Sequence, residues 1–128
     1  MPYKDVAYGR EHHKKYMRTW YAKNKKKHKK YVRAATLKQR ERIRGLLAVF
    51  KAQGCCLCPE IEPCCLDAHH TNPNKKDFAI GDSLRMVYSL KKIEAELRKC
   101  VCVCRNCHAK IHAGLLRVVA KFGKAVVS

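Results

Sequence analysis

Two cysteine pairs constrain this chain more than any other feature. Cys55 and Cys58 lie in GCCLCP, Cys104 and Cys107 lie in CRNCH, and 45 residues separate the pairs. Two intervening residues let both sulfurs of a pair turn toward one ion, and two such pairs close a tetrahedral thiolate site. The expectation is a structural zinc held by Cys55, Cys58, Cys104 and Cys107, with Cys56 as an alternative to Cys55. The competing reading is four buried free thiols acting as small hydrophobes. The spacings of Cys64, Cys65, Cys100 and Cys102 suit no standard metal site, so these four are expected as core thiols.

The total of nine cysteines is odd. The N-terminal stretch MPYKDVAYGREHHKKYMRTW has no apolar core of a secretion signal. Both features argue against a secreted disulfide protein and for a reducing, cytoplasmic compartment, that of a host cell if the chain is phage-encoded. No run approaches the roughly 18 apolar residues that span a bilayer.

Between the pairs lies DAHHTNP, residues 67–73. Adjacent residues of a strand face opposite sides, so His69 and His70 can serve different partners, and spacing alone does not say which faces a metal. Asp67 either orients one imidazole or sits exposed. His108 and His112 are four apart in NCHAKIHAG and would share one face of a helix that Gly114 ends. A shared face suits joint metal coordination, though two polar surface histidines would show the same spacing.

The segments between these groups read as a small α+β core. In CCLDAHH, Leu66 and Ala68 alternate with polar positions as in a half-buried strand, and KCVCVC at 99–104 is a second strand candidate. DSLRMVYSLKKIEAELRK at 82–99 reads as one helix capped by Asp82 or Ser83, with Met86, Leu90, Ile93 and Leu97 as its buried stripe.

Charge is uneven along the chain. Residues 1–51 hold 17 Lys and Arg against 3 acids, so +14 of the net +19 lies there. A polyanion, and specifically nucleic acid, is the expected partner. The aromatics Tyr8, Tyr16, Trp20, Tyr21 and Tyr31 are interleaved with Lys and Arg instead of forming a wide apolar face, which argues against a membrane surface. The stretch from Arg10 to Phe50 lacks proline and has Gly45 as its only glycine, so helix is expected, in two pieces. KNKKKHKK at 23–30 is the place for a break, an exposed helix or a segment ordered only on binding. Leu37, Ile43, Leu46, Leu47 and Phe50 are spaced for one buried face, and Gly54 would stop that helix. Lys25, Lys26, Lys27, Lys29 and Lys30 are the expected phosphate contacts of this arm. Lys76 and Arg105, beside the histidine motifs, would either grip phosphates or remain surface charge.

Taken in order, CLC at 56–58, LDAHHTNPNKKDFAI at 66–80, ELRKC at 96–100 and CRNCHAKIH at 104–112 resemble the HNH endonuclease family. The likeness is to its zinc-stapled form, common among phage and mobile-element proteins, and it covers about residues 54–114. The resemblance implies a ββα-metal core at 54–114, after a basic helical arm at 1–53 and before a tail at 115–128. It implies a metal-dependent endonuclease acting on double-stranded DNA. On the family's pattern His70 is the general base, His69 and His108 are ligands of one catalytic divalent ion (magnesium, manganese, nickel or zinc), and His112 matches a further ligand found in some members. Imidazole titrates near neutral pH and can take a proton from attacking water, while a divalent ion neutralises charge on the leaving oxygen. One position departs from the pattern: the family's middle asparagine, nine residues before the closing histidine, is Lys99 here. The alternative function is a zinc-stabilised nucleic-acid-binding protein without catalysis, which does not require the four histidines to converge.

Overall fold

The structure, a computed structural model, describes residues 5–121 and 124–127. It is a small α+β chain. Helix α1 spans Val6–Lys51, strand β1 Leu66–His70, helix α2 Ser83–Met86 and helix α3 Leu90–Leu97. Strand β2 spans Cys100–Cys104, helix α4 Arg105–His112, and strands β3 and β4 Val118–Lys121 and Lys124–Val127. No helix among the described residues is long and apolar enough to cross a membrane.

The chain divides into two compact units between Lys38 and Gln39, earlier than the charge distribution suggests. The reason is that α1 changes character there, and its last turns carry Ile43, which is fully buried.

In the first unit α1 begins at Asp5, whose side chain accepts hydrogen bonds from the amides of Ala7 (2.8 Å) and Tyr8 (3.4 Å) and so caps the first turn. The expected break at KNKKKHKK does not occur, since α1 is one 46-residue helix. Lysine is a good helix former, and Asn24 donates its side-chain amide to the Trp20 carbonyl (2.9 Å) within the helix. The continuous helix also changes how the aromatics sit. Trp20, Asn24 and His28 recur every four residues, and the His28 ring lies 5.5 Å from Trp20 and 5.6 Å from Tyr21. Aromatics interleaved with lysine in sequence thus collect into a strip along the helix.

In the second unit β1 and β2 pair antiparallel, from Leu66 opposite Cys104 to His70 opposite Cys100. Two apolar clusters flank this ribbon. One holds Leu66, Cys102, Val103, Cys104 and Cys107; the other holds Ile43, Ile93 and Leu97. Phe50, near the end of α1, packs against both. Leu37 does not join the buried face expected for it and is 50% exposed. It precedes Gln39, where the second unit begins.

The helix expected over 82–99 is two helices. Val87 adopts a left-handed conformation (φ 52°) that ends α2, its amide donating to the Ser83 carbonyl. Ser89 then caps α3 by accepting from the Lys92 amide, a role expected of Asp82 or Ser83. Side chains of α1 take up two carbonyls at the break: Arg40 donates to Leu84 and Gln39 to Tyr88. The break turns Met86 out to 49% exposure, off the expected stripe, and sets the Tyr88 ring 4.5 Å from Phe78.

Two glycines are required by backbone shape. Gly54 (φ +74°) turns the chain out of α1, and a Cβ there would meet the Glu60 carbonyl and the Ile61 side chain at 3.3 Å. Gly114 (φ +78°) follows α4 as expected. Beyond it, the expected tail contains the ribbon of β3 and β4, built on valine-rich segments.

Ile93 is fully buried between α1 and α3 partners, so Ile93→Ala should lower unfolding stability by about 2–5 kcal/mol. Chemical denaturation measures this, and the neighbouring exposed Glu94→Ala should change stability far less.

Candidate active site

The thiol cluster is built by three local structures. After Gly54 the Cys55 amide donates to the Glu60 carbonyl (2.9 Å), closing a loop that presents Cys55 and Cys58. Cys104 is both the last residue of β2 and the N-cap of α4, its sulfur accepting from the Cys107 amide at 3.4 Å. The sulfurs of Cys55, Cys58, Cys104 and Cys107 lie within 4.8 Å of one another, with Cys58 and Cys104 3.5 Å apart. Four sulfurs about 2.3 Å from one zinc ion would be roughly 3.8 Å apart, so this group can hold a structural metal such as zinc.

The surroundings suit such a metal. Burial works against ionisation of Cys55, but hydrogen bonds from the Cys104 and Leu57 backbone overcome it and lower its thiol to about 7. Burial and contact with the other three sulfurs push the Cys107 thiol up, so a bound cation would relieve what crowding alone opposes.

Cys56 is exposed and takes no part in this group, its amide instead donating to the Cys102 carbonyl. Of the remaining cysteines only Cys102 is a buried core thiol. Cys100 and Cys65 are partly covered and Cys64 is exposed, contrary to expectation, because Cys64 and Cys65 occupy a surface 3₁₀ turn at Pro63–Cys65 before β1.

A second group forms at the other end of the ribbon. His69 on β1 and His108 and His112 on α4 bring one ligand atom each within 4.8 Å of the others. The Nε2 atoms of His108 and His112 are 3.0 Å apart, the separation of two nitrogens about 2.1 Å from one ion at a right angle. Asp67, on the same face of β1 as His69, places a carboxylate oxygen 3.5 Å from Nδ1 of His108, behind the ring. Burial first, then the neighbouring His108, His112 and His70, lower His69 to about 4. It is therefore neutral, with a free lone pair, through the physiological range.

His70 points to the other face of β1. Its Nε2 lies 2.7 Å from Oε1 of Glu96, and the two side chains are 9% and 1% exposed. Glu96 sits on α3, where the same Oε1 accepts from the Asp77 amide (3.0 Å) and Oε2 accepts from Lys99 Nζ (2.8 Å). Burial alone would raise the Glu96 carboxyl, but the bonds from Lys99, the Asp77 amide and His70 outweigh it and hold it at about 2. The paired carboxylate therefore adds stability above its ordinary value of 4.5, and that contribution fades as pH falls toward 2.

A cleft of about 370 Å³ joins these parts, lined by Ala68, His69, His70, Thr71, Pro73, Lys76, His108 and His112. Lys76 is thus at the histidines. Arg105 is exposed in the first turn of α4, one turn before His108, and Lys25, Lys26, Lys27, Lys29 and Lys30 are exposed on α1. Glu96 and Asp77 had no role in the sequence reading. A signal for Glu96 existed, because it lies three residues after Ile93 and beside Leu97, on the buried side of α3.

Metal at the thiol group would tie the loop after α1 to the β2–α4 junction, so chelation should lower the melting temperature. Native mass spectrometry should show loss of one zinc. Cys104→Ala should prevent zinc retention and yield an unfolded or protease-sensitive chain, because binding energy at such a site is folding energy. Cys64→Ala should retain both zinc and fold.

No family model, no curated protein and no solved structure matches this chain.

Proposed function

We propose that this chain is a metal-dependent endonuclease of the HNH type that hydrolyses phosphodiester bonds in double-stranded DNA, with a ββα-metal core. The observation that carries the reading is that three imidazoles capable of sharing an ion line one cleft with a fourth, His70, backed by a buried carboxylate. A structural or purely binding protein has no need of that division between the two faces of one strand.

The chain's own groups have distinct tasks. His69, His108 and His112 would hold the divalent ion, which supplies positive charge to the scissile phosphate and the leaving oxygen. Three imidazole nitrogens suit nickel, zinc or manganese better than magnesium, which favours oxygen ligands. With Glu96 ionised, His70 donates its Nε2 proton to that carboxylate, leaving Nδ1 as the acceptor that takes the proton of the attacking water. Lys76 would contact a phosphate flanking the cut.

The basic residues of α1 favour DNA as the partner. Residues 1–38 hold 13 Lys and Arg against 2 acids. Binding of this kind rests on phosphate contact, so it should weaken steeply with added salt.

The test is relaxation of supercoiled plasmid by the purified protein with nickel, zinc, manganese or magnesium, alongside His70→Ala and His69→Ala. Nicking by the wild type should depend on metal, and His70→Ala should reduce it at least about 100-fold with zinc content and DNA retention unchanged. Wild-type cutting by His70→Ala would overturn the assignment of the base. DNA binding without cutting in every metal would favour a non-catalytic zinc-stabilised binding protein.

A further inference from the structure

Lys99 stands where the HNH resemblance expects asparagine, and its surroundings are unusually complete. Its ammonium donates to the Lys75 carbonyl (3.0 Å), to Asp77 Oδ2 (2.7 Å) and to Glu96 Oε2 (2.8 Å). An ammonium has three protons, and all three have acceptors. The Lys99 carbonyl in turn accepts from both the amide and the hydroxyl of Thr71, the residue after His70. One residue therefore joins the end of β1, the 75–77 segment and the end of α3.

Glu96 is the centre of this arrangement. At 1% exposure its carboxylate would be costly without partners. It has three: Lys99, the Asp77 amide and His70. A leucine or methionine at this place would pack with Ile93 and Leu97 and avoid the desolvation of a charge altogether, so packing alone does not account for a carboxylate. What the carboxylate does that an apolar group cannot, besides accepting from Lys99 and the Asp77 amide, is make a hydrogen bond with Nε2 of His70.

We propose that Lys99 and Glu96 act as a positioning pair in place of the asparagine, Lys99 fixing the Glu96 carboxylate and Glu96 fixing the ring of His70 with Nδ1 toward the cleft. The inference rests on the nuclease reading for the purpose of the pair, but the geometry of the pair can be tested without activity. Asp77 serves as the third member by holding Lys99 from the solvent side. Neither Glu96 nor Lys99 belongs to the group of histidines that can share a metal, so both act through His70.

Two measurements test this. The first compares wild type, Glu96→Gln, Lys99→Met and Lys99→Arg in steady-state cleavage of a DNA duplex, with melting temperature and zinc content recorded for each. Glu96→Gln and Lys99→Met should lower kcat about 10–100-fold with KM within about twofold, and Lys99→Arg should recover most of the loss. Wild-type kcat in Glu96→Gln would overturn the proposal, as would a loss explained by unfolding at the assay temperature.

The second measurement needs no substrate. Nitrogen NMR of the His70 ring in the full-length wild-type protein should show the Nε2–H tautomer, with a proton shifted downfield by the carboxylate. A wild-type ring protonated at Nδ1 alone overturns the proposal whether or not the protein cuts DNA. If the protein cuts nothing yet His70 holds the Nε2–H tautomer, the pairing stands and the nuclease reading is what fails.

Discussion

The convergence of four sulfurs at the base of the ribbon is the constraint on which the second unit depends. Cys55 and Cys58 belong to the loop that leaves α1, and Cys104 and Cys107 belong to the turn from β2 into α4. A ribbon of two five-residue strands is marginal by itself in water. Joined through these sulfurs to α1 and α4, it becomes the frame that presents His69 on one face and His70 on the other. The apolar cluster of Leu66, Cys102 and Val103 then excludes water from the same region. The four thiols that could share a metal and the three histidines that could share another are thus both placed by the one ribbon.

The histidine end is organised by electrostatics instead of packing. Asp67 lies behind His108, and Glu96 lies behind His70. Each of these two imidazoles thereby has a carboxylate oxygen at one nitrogen. For His69, burial first and then the neighbouring imidazoles favour the neutral form. Carboxylate contact at two rings and desolvation at the third have different physical origins.

The first unit follows other rules. Its helix is stabilised by propensity, by the Asp5 cap and by local ring contacts, and most of its side chains are exposed. Its net positive charge opposes compaction by self-repulsion. The aromatic strip around Trp20 and His28 arises only because the helix is unbroken through the lysine run.

Much of this was legible in the residues alone. The CxxC spacing identified the four thiols, the four-residue interval placed His108 and His112 on one face, alternation located β1 and richness in Val and Cys located β2, because each of these is a local pattern. The chain by itself also determined the concentration of positive charge and the glycines that end α1 and α4. Tertiary structure decided the rest. Whether Val87 breaks a helix depends on Arg40 and Gln39 reaching carbonyls more than 40 residues away, and no window of sequence contains that fact. Which cysteines are core thiols depends on which side of the ribbon is covered. The partner of His70 is 26 residues distant on α3, and the place of Lys99 is defined by three segments that meet only when the ribbon closes. Local pattern specifies which way a side chain can face; only the packed chain specifies what it meets there.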